Sequence, residues 1–474
     1  MTHKPLLLLL AMTLGGCSLI PEYKRPEAPV PSTFPEGAAY AARSSGITAQ
    51  IDWKSFFKDP AVHTVVDLAL VNNRDLRQAA LNVDAYRAQY RIQGAALLPE
   101  GGIDGKAGRS RTPGDLLSSG HQATTGDNGL QVGLTSYELD VWGRVRSQDR
   151  SALETYLASE DTQRSVQLGL VANVAVAYFT WRTDQQLLEV TQSTLQNYRH
   201  NLELVQDGSE AGTASDLDVR QARTLVDSAR GQVYAFTRQV AQDENALRLL
   251  IGTNIPANLR ASDLDDAVLS EIPAGLPAAL LQQRPDIRAA EHQLIAANAN
   301  IGAARAAFFP SITLTGGVGT ASSRLSGLFD SGSESWSFVP QVHLPIFNGG
   351  RLKASLDYAK IQGEIEVSHY ESVIQTAFRE VADGLASLST WDEQIASQRD
   401  LVRTSEEYNQ MAQQRYDEGV DSYLALLDAQ RQLLSARQQL LTDRLAQITS
   451  QVQLYKALGG GWSAPQTSRD VAQQ

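Results

Sequence analysis

The sequence predicts a membrane α/β barrel in which each chain supplies four β-strands and two sets of long helices. Three observations carry this. The chain matches itself at an offset of about 207–211 residues. Each half contains helical runs far longer than the three turns of an average globular helix. Between the first and second long helical runs of each half, the hydrophobic period drops from about 3.6 to about 2.

Composition sets the bounds. The chain has 474 residues, 42% of them hydrophobic, with 53 acidic and 41 basic side chains and a net charge of −12. That apolar share can bury a core, which excludes a disordered chain. The acidic balance argues against a nucleic-acid partner, because phosphate neutralisation needs a basic surface. A single cysteine excludes a disulfide framework and Cys-rich metal sites. A mean hydropathy of −0.25 excludes a polytopic helical membrane protein.

The N-terminus reads as a secretory signal over residues 1–16. Lys4 supplies the basic region, Leu6 to Leu10 the apolar core, and Leu14-Gly15-Gly16 the small-residue cleavage zone. Cys17 follows directly. This resembles the bacterial lipoprotein lipobox, which implies cleavage before Cys17 and its acylation. Ser18 in the next position implies the outer membrane within that resemblance. Two or more acyl chains anchor firmly where one is marginal. Residues 17–60 carry Pro21, Pro26, Pro29, Pro31 and Pro35, and predict an extended leader.

Duplication fixes the rest. Asp75-Leu76-Arg77 falls on Asp286-Ile287-Arg288, Pro99 on Pro310, Gly143-Arg144 on Gly350-Arg351, Gly212 on Gly419 and Ser228-Ala229-Arg230 on Ser435-Ala436-Arg437. The first repeat is expected over residues 61–259, the second over 260–457, with a tail at 458–474. In the first, helices are expected over about residues 60–98, 144–206 and 215–250. Leu170, Val174, Ala177, Tyr178 and Trp181 recur at helical steps, and Gly252 with Pro256 marks a stop. Val367, Tyr370, Ile374, Phe378 and Val381 do the same in the second repeat. Runs of about 60 residues, about 90 Å long, imply a coiled-coil-like bundle or tube.

The period-2 segments are Ile103-Gly105-Ala107, Leu130-Val132-Leu134, Ile312-Leu314-Gly316-Val318 and Trp336-Phe338, resuming at Val342-Leu344-Ile346, each alternating with largely polar or small residues. By themselves they fit a transmembrane β-strand or a half-buried sheet of a soluble domain equally well. The lipobox-like N-terminus decides for the barrel. Four strands cannot close, and open edges are not tolerated in hydrocarbon. A dimer gives an eight-stranded barrel filled by its own side chains. A trimer gives twelve strands and an open lumen, and the small Gly, Thr and Ser residues of one face favour it. The expected assembly is a homotrimer: a twelve-stranded transmembrane barrel continued by a long periplasmic helical barrel, entered through Pro99 and Pro310. Residues 109–128 and 320–335, rich in Gly and Ser, are expected as external loops.

Two hairpin tips stand out, Gly212-Thr213-Ala214-Ser215 and Gly419-Val420-Asp421-Ser422. The glycines suit a positive-φ turn, and Ser215 or Ser422 suits a helix cap. Beyond the second tip, Leu424, Asp428 and Arg431 share one helix face, with Tyr416 before it. Three-fold symmetry turns Leu424 into an apolar ring and Asp428 into an acidic ring. No catalytic constellation is present. The seven histidines are scattered without zincin spacing, and Gly316-Gly317-Val318-Gly319 lacks the strand-to-helix context of a nucleotide loop. Neither a metal nor a cofactor is expected.

The segments Cys17-Ser18-Leu19-Ile20-Pro21, Asn73-Arg74-Asp75-Leu76-Arg77, Leu281-Gln282-Gln283-Arg284-Pro285-Asp286-Ile287, residues 301–310 and Leu426-Leu427-Asp428-Ala429-Gln430-Arg431 resemble the TolC-like outer-membrane factors, nearest their OprM-type lipoprotein branch. The resemblance covers nearly all of the chain after the signal. It implies the passive exit duct of a tripartite efflux pump, fed by a periplasmic adaptor and an inner-membrane transporter of the resistance–nodulation–division (RND) type. It implies adaptor contact at Gly212, Thr213, Ser215, Gly419 and Ser422, and a closed entrance at Tyr416, Leu424, Asp428 and Arg431. Two other functions compete: an exit duct for a secreted protein in a type I system, and a structural coiled-coil lipoprotein that transports nothing.

Overall fold

The computed structural model describes residues 18–40, 52–260, 268–271 and 283–460. Cys17, the signal, and the tail from residue 461 lie outside the described residues. A one-turn helix α1 (Trp53–Phe56) opens the first series of elements. α2 (Pro60–Asn72), α3 (Arg74–Ala95), β1 (Gly101–Thr112), β2 (Ala123–Leu139), α4 (Arg144–Glu210) and α5 (Asp216–Ile251) follow. The second series is α6 (Pro285–Ala306), β3 (Ser311–Ser322), β4 (Glu334–His343), α7 (Arg351–Asp417) and α8 (Tyr423–Ala457). Helix, two strands, very long helix and shorter helix thus recur in the same order. α4 and α7 each have 67 residues, about 100 Å of helix. Among the described residues no helix is long and apolar enough to cross a membrane.

Two sequence expectations are corrected. The helical run over residues 60–98 is broken at Asn73, which adopts φ −62°, ψ 133°. Its Oδ1 accepts the Leu76 N–H at 2.9 Å, while its Nδ2 donates to the Leu250 carbonyl at 2.9 Å. One side chain therefore caps the new helix and ties it to α5, a dual role that leaves the helical period undisturbed. The external loops are also shorter than expected, because β1 runs to Thr112 and β2 starts at Ala123, while β3 runs to Ser322 and β4 starts at Glu334. Polar residues on both faces hide the period there, but the backbone ladder continues from Arg109↔Gly126 to Thr112↔Ala123. Ser110 and Thr125 add a hydroxyl pair at 3.2 Å across it.

The chain divides into two compact units. One holds the leader up to Glu27 with Asn82–Glu160 and Ala289–Glu371, and so contains the sheet. Its four strands are antiparallel in the order β1-β2-β3-β4. α6 here carries the leader. Arg25 forms two bonds to Glu291, at 2.7 and 2.8 Å, and Tyr23 donates to the same carboxylate at 3.2 Å. Asn298 and Arg305 donate to the carbonyls of Pro21 and Leu19 at 2.8 and 3.4 Å. Buried Glu154 pairs with His292 at 2.6 Å and with Arg150 at 2.5 Å.

The other unit holds Ala28–Leu81, Asp161–Arg288 and the chain from Ser372. Its core is aromatic: Phe56, Phe57, Tyr178, Phe179 and Trp181 are fully buried. Phe56 stacks on Tyr455 with centroids 4.1 Å apart, and the Tyr178 hydroxyl donates to Asp59 at 3.0 Å. Buried Arg284 bonds Asp286, Glu380 and the Ala457 carbonyl, so its charge is fully partnered as burial requires.

Candidate functional site

The sheet has two chemically distinct faces, and the register proves it strand by strand. Ile103, Val132, Val318 and Trp336 are in register, as are Leu139, Ile312 and Val342. These lie on one face. The neighbouring row, Asp104, Gln131, Gly319 and Ser335, lies on the other, as does the Lys106–Asp127 ion pair at 2.8 Å. Period 2 makes this sorting automatic. A Cβ on Gly133 would sit 2.3 Å from the Gly316 carbonyl, and one on Gly319 would sit 2.1 Å from that of Leu130. Glycine there is a packing requirement, and it leaves the polar face low in relief. A bulge between Leu134 and Tyr137, with Ser136 at φ 50°, restores the apolar alternation after one extra residue.

The helix-to-strand junctions fall at the two sequence-predicted prolines. α3 unwinds through Leu98, whose N–H donates to the Ala95 carbonyl. Pro99 then ends helical pairing, and β1 begins at Gly101. Pro310 does the same between α6 and β3, and its carbonyl accepts the Trp142 indole N–H at 2.9 Å. Trp142 stacks on Phe309 at 4.6 Å.

The two hairpin tips differ in how they are held. In the first, Gly212 takes φ 77°, and the Thr213 and Ala214 N–H groups reach the Gly208 carbonyl at 2.7 and 3.1 Å. Ser215 and Asp218 then form a reciprocal capping box on α5. In the second, Gly419 takes φ 73°, and Arg415 clamps Asp421 at 2.5 and 3.0 Å. That guanidinium holds the Asp421 carboxyl below its ordinary pKa. Ser422 is the N-cap of α8 by backbone conformation, without a side-chain cap bond. Gly212, Thr213, Ser215, Gly419 and Ser422 thus sit at the two turns, with only Ser215 capping through its side chain.

Of the four residues expected at the entrance, three share a surface. Leu424 (57% exposed), Asp428 and Arg431 are exposed on one face of α8. Tyr423, Leu426, Leu427 and Ala429 of the same helix are buried against Tyr198, Val205, Ala222 and Leu225. Tyr416 goes with the packed side, 5.4 Å from the Tyr423 ring. Burial raises the pKa of both phenols, that of Tyr423 to about 12. Arg431 lines a cleft of about 420 Å³ with Tyr198, Gln232 and Gln438.

Sequence reasoning missed the seat of the leader. Glu291, Asn298 and Arg305 lie at seven-residue steps on α6, and therefore on one stripe. Between them Gly302 leaves room for the leader, since a Cβ there would lie 2.8 Å from Ile20 Cα. A polar heptad stripe with one glycine was the available signal.

The family model described as outer membrane efflux protein matches residues 65–253 and 276–460. The chain belongs to this family. It is 56% identical over 98% of its length to the whole of the toluene efflux pump outer membrane protein TtgI of Pseudomonas putida. It is 43% identical to the outer membrane protein OprJ of Pseudomonas aeruginosa, covering 96% of this chain and 95% of OprJ. Its fold matches a crystal structure of a membrane protein from Pseudomonas aeruginosa with TM-score 0.88 and 42% identity, over 94% and 98% of the two chains. It also matches the open-state MtrE outer membrane channel of Neisseria gonorrhoeae, with TM-score 0.85 and 39% identity, over 94% and 98%.

Membership settles what the sheet and helices are for. The protein is an outer-membrane efflux protein, and its fold is that of the membrane α/β barrel channels. A coiled-coil spacer with no transport role is ruled out. The sheet crosses the outer membrane, with its apolar face toward lipid, and the long helices belong to the periplasm.

Proposed function

We propose that three copies of the chain form the exit duct of a tripartite efflux pump. The observation that carries this is the sheet: four strands with free edges at β1 and β4, one apolar face and one polar face. Unpaired edges in hydrocarbon cost several kcal/mol per group, so β4 of one copy pairs with β1 of the next until the ring closes. Three copies give twelve strands around a lumen lined by the polar face. On α7, exposed Tyr358, Ile361 and Ile365 form an apolar stripe at helical spacing that suits a neighbouring copy.

The duct works passively and catalyses nothing. A periplasmic adaptor meets it at Gly212, Thr213, Ser215, Gly419 and Ser422, and an RND-type inner-membrane transporter supplies the energy. Relatives named for toluene, solvent and antibiotic efflux support small organic molecules as the cargo over a secreted protein. Cys17 carries the acyl anchor, one residue before the start of the leader on α6. Exposed Leu424, Asp428 and Arg431 form the periplasmic constriction, with Tyr416 buttressing it through Tyr423.

Planar-bilayer recording tests this reading. The Leu424→Ala/Asp428→Ala protein is expected to conduct several-fold more current than the unsubstituted protein, because it loses both an apolar and an acidic ring. Equal conductance would remove these residues from the constriction.

A further inference from the structure

The two repeats build the same strand-to-helix turn, but the second exposes its apolar side chains far more fully than the first, where Val141 is 38% exposed. Through the match of Gly143 with Gly350, Leu139-Asp140 occupies the place of Ile346-Phe347. In the first repeat the turn is folded inward: Asp140 accepts the N–H groups of Val145 and Arg146 at 3.0 and 2.9 Å. In the second, Asn348 Oδ1 caps Leu352 at 3.3 Å, while Ile346 and Phe347 stand 90% and 92% exposed. The turn does not require their exposure, since the first repeat makes it with Leu139 half-buried and Asp140 bonded inward.

Their position continues a surface already assigned. Trp336, Phe338, Pro340 and Val342 form the lipid-facing row of β4, which ends at His343, and Leu344 and Ile346 follow at the same sequence spacing in the turn beyond it. At about 3.3 Å per residue, Trp336 to Val342 covers about 20 Å of strand. A tilt of about 40° projects that to about 15 Å, short of the ~25 Å apolar band of a membrane barrel. On the side of the helices, the next exposed apolar side chains beyond Val342 are Leu344, Ile346 and Phe347. Just beyond them, Arg351 and Lys353 are exposed, at the level where lipid phosphates lie.

We infer that Leu344, Ile346 and Phe347 are an interfacial anchor in the periplasmic leaflet of the outer membrane, with Arg351 and Lys353 set to meet phospholipid phosphates. Three turns, one per copy, would fix the depth of the barrel at its periplasmic rim. An apolar body with a cationic tip is the arrangement that places a segment at a membrane interface.

Nitroxide spin labels on Ile346→Cys and Phe347→Cys in the full chain, reconstituted in vesicles of phosphatidylethanolamine and phosphatidylglycerol, test this. The unsubstituted chain, labelled in parallel, corrects for signal from Cys17. Labels at Val132→Cys and Ser337→Cys calibrate the lipid and lumen environments. Positions 346 and 347 should collide freely with oxygen and poorly with a water-soluble nickel complex, as Val132→Cys does. Nickel access equal to that at Ser337→Cys would overturn the proposal. So would shielding from both reagents, which would mean that a second copy covers the turn. A second variant guards against a label that disturbs the turn. Ile346→Ser/Phe347→Ser should keep its detergent oligomer, but a label at Val342→Cys in that variant should gain several-fold nickel access as the rim shifts toward water, and unchanged nickel access there would also refute the anchor.

Discussion

At the residue scale, two side-chain choices carry measurable consequences. Gly302 is required because Ile20 crosses α6 at contact distance. Gly302→Val should lift the leader and free the backbone at the Lys24–Arg25 bond for trypsin, with cleavage about tenfold faster, a change worth about 1.4 kcal/mol of local opening. Unaltered cleavage would show that the leader is not seated there. Asp184 makes the second case. It is half-buried on α4, and burial followed by the neighbouring Asp243 pushes its carboxyl up to about 7. The folded chain therefore binds a proton that the unfolded chain has released, between about pH 4 and 7. The stability from this group is complete below pH 4 and declines as pH rises through 7. Asp184→Asn should flatten that decline and raise the melting temperature at neutral pH relative to pH 5, as followed by circular dichroism. A steeper decline would contradict the assignment.

At the scale of elements, the tips give a matched pair. Ser215 caps α5 through its side chain and Ser422 does not cap α8. Ser215→Ala should cost about 1 kcal/mol, whereas Ser422→Ala should be nearly neutral in the same urea titration. Equal losses would contradict the difference between the tips. These elements also show what the sequence displayed. The 67-residue helices announced themselves through unbroken periodicity, and the turns through Gly212 and Gly419. The ends of β1 and β2 did not, because Ser110, Arg111 and Thr125 are polar whichever face they occupy, and backbone pairing with one hydroxyl pair holds them. The break at Asn73 was silent for a related reason: one asparagine interrupts the helix without changing which residues are apolar. The seat on α6 was silent because its occupant, the leader, is remote in sequence. At the entrance, Leu424, Asp428 and Arg431 could be grouped from spacing alone, but the packing of Tyr416 onto Tyr423 depends on the hairpin turn bringing α7 back onto α8.

At the scale of the whole molecule, the duplicated chain provides an even number of strands and leaves two edges free. Each repeat contributes one hairpin to the sheet, and the pairing of β2 with β3 joins the repeats inside the membrane. The polar face, with Gly133 and Gly319 at close approach, sets small residues among its longer polar side chains. That arrangement has a use only if the ring closes around a lumen, so the number of chains in the ring is the central claim. It is tested most directly by native mass spectrometry of the protein extracted from outer membranes in mild detergent. Three chains per particle is the predicted result. A particle of one or two chains would contradict the twelve-stranded barrel and, with it, the lumen on which efflux depends.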